Sequence, residues 1–385
     1  MMYEVSFNQD EFMATYWQQQ AVVFKKGMGN FVDPLSPEEL AGLAMESEIQ
    51  SRLVTCHEQQ WQAQLGPFED FAALGESHSS LLVQGVDHWH PRVNLLAEAF
   101  QFIPNWRFDD VMVSYSTPEG GVGPHIDQYG VFIIQGEGRR HWRVGEKQIL
   151  KVLSPDPHLK HCEPFKAIID VVLEAGDVLY IPPGCPHEGY AIEAAMNYSI
   201  GFRAPNSLEL VGGFADYLLQ HQPQTSRFSD AKRCVTQEFG RIAEHESQAL
   251  NKMMVKLLSS PEISAQFLGE YLSDSAHSSD IVVLHNSEQR LALADLAELV
   301  EQGLALRRCA GIKALYLDVL PYQIFVDGQA YMVPNCSWAL AKSMCDHNAI
   351  DAHSLRALKQ DSHQLSWLLD LLNHGYWYFD KVDSD

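Results

Sequence analysis

Positive charge is scarce in this chain. Its 385 residues carry 27 Lys plus Arg against 50 Asp plus Glu, a net charge of -23. The shortage runs throughout: 13 basic and 27 acidic side chains in residues 1–205, then 14 and 23 in 206–385. Such a surface repels phosphate backbones and argues against nucleic acid as a partner. It attracts a basic partner instead. Cysteine pairs are also missing. The seven cysteines (56, 162, 185, 234, 309, 336, 345) are odd in number and form no C-x-x-C. That excludes a disulfide framework or a zinc knuckle. No apolar run approaches the roughly 18 residues that a membrane helix needs. The opening residues, MMYEVSFNQDEF, lack a basic region followed by an apolar stretch, so no signal peptide is expected and a reducing cytoplasm fits. G-x-S-x-G, P-loop and G-x-G-x-x-G motifs are absent.

What is present is a large apolar fraction, 46%, enough for a substantial core. In the first half this fraction is cut into short β-type runs: Ala21 to Phe24, Ser80 to Val86, Asp110 to Ser116, Val131 to Gln135, His141 to Val144, Ala167 to Leu173, Val178 to Ile181 and Asn197 to Phe202. Gly136-Glu137-Gly138 and Pro182-Pro183-Gly184 mark turns. Regularly spaced short strands predict a barrel or a two-sheet sandwich. Helices are predicted at Pro37 to Met45 and Pro91 to Phe100. After Arg203-Ala204-Pro205 the pattern becomes helical over 208–272, with Leu210, Phe214, Tyr217 and Leu218 on one face. An apolar helical face of this kind suits a homodimer. From about 280, helices mix with a small hairpin around Gly328, the composition of a winged-helix module.

Two segments carry the chemistry. In Gly120-Gly121-Val122-Gly123-Pro124-His125-Ile126-Asp127, His125 and Asp127 have the i, i+2 spacing that puts both side chains on one strand face. The second segment, Gly176 to His187, reads as a strand, a rigid Pro-Pro-Gly turn and a histidine. Sixty residues separate His187 from Asp127, enough for antiparallel strands to bring them together. Two His and one carboxylate on one face is the ligand set of non-haem Fe(II) oxygenases. In Arg139 to Val144, Arg140 shares a face with Trp142 and Val144 and is expected to point inward, where its fork grips a carboxylate. Ser114 or Ser116 could donate a hydroxyl to that same carboxylate. Asn197 and Ser199 share one face of Met196 to Arg203; if that face lines the interior, Asn197 reaches a cosubstrate or a metal-bound water. His88-Trp89-His90 has the i, i+2 spacing without a carboxylate and reads as strand-end packing. Asp109-Asp110 reads as a solvated turn.

The segment from Gly176 to His187 resembles the second cupin motif, G-x5-P-x-G-x2-H, with Ala191 where an Asn often follows. H-x-D together with Arg140 resembles the Jumonji C oxygenases. The stretches GVGPHIDQYGVFIIQGEGRRHWRVGEK and GDVLYIPPGCPHEGYAIEAAMNYSIGFRAPN resemble the bacterial ribosomal oxygenases more closely. The resemblance implies an α+β chain: a double-stranded β-helix catalytic domain at 1–205, a helical dimerisation region at 206–278 and a winged helix at 279–385. It implies Fe(II) held by His125, Asp127 and His187, and 2-oxoglutarate held by Arg140 and Ser114, with dioxygen as the oxidant. Arg140 stands where many Jumonji C enzymes have lysine, which is the pattern of the ribosomal group. The implied reaction is hydroxylation at C3 of an arginine on large-subunit ribosomal protein 16, a basic partner. Three other readings compete. A metal-dependent isomerase needs further His or Glu ligands. A sensor-regulator with a DNA-binding winged helix needs a basic stripe, and residues 280–385 offer none. A Jumonji C lysine demethylase acts on histones, which a bacterial, cytoplasmic character disfavours.

Overall fold

The computed structural model describes residues 3–231, 233–274, 290–318, 321–356 and 362–380. The expected boundary at 278/279 lies outside them. The chain divides into two compact units. Of the described residues, one comprises those in 3–204 and 309–312; the other comprises those in 205–274, 290–308 and 313–380.

The first unit is built from fourteen described strands: β1 (Val22–Phe24), β2 (Ser51–His57), β3 (Gln60–Leu65), β4 (Ser79–Val83), β5 (Phe108–Ser116), β6 (His125–Ile126), β7 (Gly130–Gln135), β8 (Arg140–Gly145), β9 (Val152–Asp156), β10 (Leu159–Cys162), β11 (Ala167–Leu173), β12 (Val178–Ile181), β13 (Pro186–Ala191) and β14 (Ala195–Phe202). Eight form one sheet in the order β1-β12-β7-β14-β5-β4-β2-β3, and four form a second, β11-β8-β13-β6. The pairs are antiparallel throughout. This is the double-stranded β-helix.

Alternation along β14 shows how the large sheet is used. Met196, Tyr198, Ile200 and Phe202 join the main core, where they pack with Phe12, Leu40, Val93 and Leu96 from helices α1 (Gln9–Thr15), α2 (Pro37–Ala44) and α4 (Pro91–Glu98). Asn197, Ser199 and Gly201 face a cavity on the other side. The open choice between the two faces is thereby settled. The helices are set by local signals. Ser36 and Glu39 form a capping box with Pro37 in the first turn of α2, and Asn8 caps α1.

Several expected elements differ. The polar β2–β3 hairpin was not expected. Its turn places Glu58 and Gln59 at φ 50° and 63°, a left-handed conformation that usually announces itself by Asn or Gly. His88-Trp89-His90 is not strand-end: Val86–Trp89 forms a short helix, α3, and His90 stands just before α4 without a side-chain cap bond. Asp110 lies within β5 and is 4% exposed, so it is no solvated turn.

In the second unit, three helices come first: α5 (Ser207–His221), α6 (Glu244–Leu258) and α7 (Pro261–Ser273). The helical pattern expected over 208–272 breaks after α5, where Gln222 turns left-handed at φ 42° ahead of Pro223. Phe214 packs edge-on against Phe267 at 5.2 Å. Then come α8 (Leu293–Gln302), β15 (Ala305–Arg308), the antiparallel sheet β16 (Ala314–Leu317), β17 (Gln323–Val326) and β18 (Gln329–Met332), α9 (Trp338–Asp346), β19 (Ala349–Ile350), α10 (Ala352–Arg356), α11 (Ser362–Leu372) and β20 (Trp377–Asp380). This is the winged helix, with Asp327 and Gly328 in its hairpin turn at φ 48° and 73°.

Candidate metal centre and its cavity

His187 and His125 are directly paired in register across β13 and β6. Asp127 follows two residues after His125. The Pro-Pro-Gly turn holds this arrangement: Gly184, at φ 83°, donates its N–H to the Asp127 carbonyl at 2.8 Å. Asp127 Oδ2 lies 3.8 Å from His125 Nε2 and 3.6 Å from His187 Nε2. The ligand atoms of all three residues fall within 4.8 Å of one another. His125 Nδ1 lies 2.9 Å from the Gly123 carbonyl, and His187 Nδ1 lies 3.0 Å from the Cys185 carbonyl. A carbonyl only accepts, so each Nδ1 carries a proton, and each Nε2 is the atom turned towards Asp127. Burial, and then the neighbouring His125, hold His187 down to about 4, so its imidazole is neutral near pH 7.

Arg140 is 3% exposed and faces the same cavity. Its Nη1 donates to Ser116 Oγ at 3.2 Å and Ser114 Oγ at 3.4 Å, and its Nη2 donates to the Gly189 carbonyl at 3.2 Å. Its Nε has no protein partner. Desolvation lowers the guanidinium only to about 10, so it stays charged at pH 7. Ser114 lines the cavity, whereas Ser116 also pairs with Ser80 Oγ at 2.7 Å. Asn197 Nδ2 donates to Ser199 Oγ at 3.3 Å, and its Oδ1 is buried without a partner. All six residues singled out in the sequence therefore line one cavity: Ser114, His125, Asp127, Arg140, His187 and Asn197.

Sequence reasoning missed Asp110, which lines this cavity too. Its Oδ2 accepts from Gln84 Nε2 at 2.7 Å and from the Gly85 N–H at 2.8 Å. Burial, reinforced by Asp87 and Asp109, raises it to about 6. Met112 and Tyr129 stand in the same wall. The signal was strand alternation: Asp110, Met112 and Ser114 share one face of β5.

The donor set fits a divalent iron: two imidazoles and one carboxylate, with no further His, Cys, Asp or Glu of the described residues joining the cluster. The unpartnered Arg140 Nε is a charged donor that fits a small anion beside it, whereas the unpartnered Asn197 Oδ1 can only accept from a donor. A β-helix that presents this cluster next to a buried arginine defines an oxygenase of the Jumonji C class. Residues 95–210 match the JmjC domain family, and residues 256–378 match the ROXA-like winged helix. Over 380 residues the chain is 44% identical to the ribosomal protein uL16 3-hydroxylase of Escherichia coli K12, covering 99% of this chain and all of that one. It is 29% identical over 373 residues to a probable ribosomal oxygenase of Haemophilus influenzae, covering 94% of this chain and 88% of that one. The X-ray structure of E. coli YcfD superposes with a TM-score of 0.93 at 43% identity, covering 99% and 100% of the two chains. YcfD in complex with cobalt and 2-oxoglutarate gives 0.89 at 42% identity, covering 98% and 99%. The chain belongs to the JmjC-domain ribosomal oxygenases.

Proposed function

We infer that this chain is an Fe(II)- and 2-oxoglutarate-dependent hydroxylase that adds one oxygen atom at C3 of an arginine on ribosomal protein uL16. The observation that carries this reading is the His125–Asp127–His187 cluster beside buried Arg140, in a chain 44% identical over its length to a uL16 3-hydroxylase.

In this reading His125, Asp127 and His187 hold the iron. Arg140 and Ser114 hold the far carboxylate of 2-oxoglutarate, and Asn197 offers Oδ1 to a donor near the metal. When bound, iron and 2-oxoglutarate supply the oxidising power of dioxygen, with succinate and CO2 as co-products. The protein supplies placement. Carbonyls at Gly123 and Cys185 fix both histidine tautomers. Val131, Ile133 and Trp142 give the cavity apolar walls that keep bulk water from the reacting carbon. Asp110 is the carboxylate that accepts the substrate guanidinium, since an incoming arginine must exchange hydration for an anionic partner. The charge of -23 draws a basic ribosomal protein towards this mouth and disfavours DNA at the winged helix.

We propose the functional division 1–205 catalytic, 206–278 dimerising and 279–385 winged helix, in the cytoplasm. Among the described residues no helix is long and apolar enough to cross a membrane. Leu208, Val211 and Leu219 on α5, with Met254, Val255 and Leu258 on α6, are exposed, which supports a homodimer through this region. Light scattering that returns a monomer mass at micromolar concentration would remove that part. For the chemistry, purified uL16 is incubated with the chain, Fe(II), 2-oxoglutarate and air. Intact mass should rise by one oxygen atom, and His187→Ala should abolish the gain. Wild type and variant giving the same mass would defeat the reading.

A further inference from the structure

We propose that His161 is a positioning residue for the metal centre, acting through the backbone that leads into His125. The proposal rests on the metal reading above. His161 belongs to β10 in the β9–β10 hairpin, which pairs only with itself and lies outside both sheets of the β-helix. Nevertheless its ring reaches the segment 122–124. His161 Nε2 lies 2.8 Å from the Val122 carbonyl. The next residue, Cys162, donates its N–H to the Pro124 carbonyl at 2.8 Å. Between these two sits Gly123, whose carbonyl receives His125 Nδ1 at 2.9 Å. Three successive carbonyls are thus committed. The hairpin takes the outer two, and the middle one fixes the tautomer and direction of the His125 ring.

The ring of His161 is also held from behind and in front. Trp61 of β3 packs edge-on against it, centroids 4.8 Å apart at 90°. On the other side Gly123 runs at φ 80°, and a Cβ there would come within 2.4 Å of His161 Cε1 and Nε2. Gly123 therefore serves a close approach as well as a left-handed turn. His161 is 6% exposed and does not line the cavity, so it has no route to substrate or metal. A carbonyl accepts only, so Nε2 carries the proton. Loss of that donor frees the Val122 peptide to rotate, and the Gly123 carbonyl turns with it. Groups that hydrogen-bond a ligating histidine directly, as the Gly123 carbonyl does, typically change metal affinity about 10- to 100-fold; His161 acts one peptide further out, which sets about 10-fold as the expected size.

The test uses the full-length protein and CoCl2 as the probe, with calorimetry and the visible absorption of bound Co(II) as readouts. H161Q keeps an N–H donor near the Nε2 position; H161N and H161L do not. We expect Co(II) to bind H161N and H161L about 10-fold or more weakly, with altered visible bands. H161Q should restore both the affinity and the spectrum. The 2-oxoglutarate affinity measured at saturating Co(II) should be unchanged in every folded variant. The proposal is overturned if folded H161L or H161N binds Co(II) as wild type does, or if H161Q is as weak as H161N. Should H161L not fold, the H161Q and H161N pair decides alone. Failure of wild type to bind Co(II) would instead overturn the metal reading itself.

Discussion

His187 and His125 sit opposite each other in register on β13 and β6, with ring centroids 4.2 Å apart. Two imidazoles this close, with Asp127 against both Nε2 atoms, repel each other when protonated and gain from a shared cation. Asp127→Asn keeps the size of the side chain and removes its charge. It should weaken Co(II) or Fe(II) binding at least about 10-fold, and isothermal calorimetry checks this. Unchanged affinity would take Asp127 out of the ligand set.

We propose that Arg140 anchors the cosubstrate. Its guanidinium is held by Ser114, Ser116 and Gly189, a geometry that a lysine ammonium cannot copy. Arg140→Lys should raise the KM for 2-oxoglutarate about 10-fold and leave kcat within a small factor, whereas Arg140→Ala should cost more. A fall in kcat with KM unchanged would count against the assignment.

The proposed hold of Asp110 on the substrate guanidinium carries a pH dependence. Its carboxyl is raised to about 6 by burial, with Asp87 on α3 and Asp109 on β5 adding like charge and Tyr129 facing the same cavity. A raised carboxyl pKa means the neutral form gains as pH falls through 6, and a neutral carboxyl cannot hold a guanidinium. The kcat/KM for a uL16 substrate should be flat above about pH 7 and fall roughly 10-fold per unit below 6. Asp110→Asn should lower kcat/KM and remove this inflection. An inflection that survives in Asp110→Asn would belong to another group.

Gly189 tests packing rather than chemistry. A Cβ there would come within 2.7 Å of the Trp142 ring, which is 5% exposed. The β13 backbone is held in its ladder with β8, so the Trp142 ring would have to shift towards the cavity it lines. Gly189→Ala should destabilise the β-helix by about 1–3 kcal/mol, read as a lower Tm. An unchanged Tm would mean the ring has freedom that its burial denies.

Steering by charge is separable from these contacts. If the net charge of -23 guides a basic substrate, raising ionic strength should lower kcat/KM for uL16 without changing the Kd for 2-oxoglutarate at saturating metal. Identical kcat/KM at low and high salt would confine the acidity to solubility.

Much of this was legible in the sequence because the informative segments obey local rules. Short β-type runs between turn residues located β7, β8, β11 and β12, and the i, i+2 pair with the Pro-Pro-Gly turn located the metal cluster. The rest was hidden for physical reasons. The β2–β3 hairpin turns on Glu58 and Gln59, residues with no turn signature. Asp110 reads as surface because the donors that replace its water, Gln84 and the Gly85 N–H, are distant in sequence. His161 is one of 17 histidines on a hairpin whose β9 strand is mostly exposed and contains Pro155, so alternation does not mark it.

The central claim is that this chain transfers an oxygen atom from dioxygen to a uL16 arginine. The most direct measurement supplies isotopically heavy dioxygen with Fe(II), 2-oxoglutarate and unmodified uL16, then fragments the product by mass spectrometry. The account predicts one heavy oxygen atom on an arginine side chain, with succinate formed in equal amount. Heavy oxygen appearing in succinate while uL16 stays unmodified would contradict it.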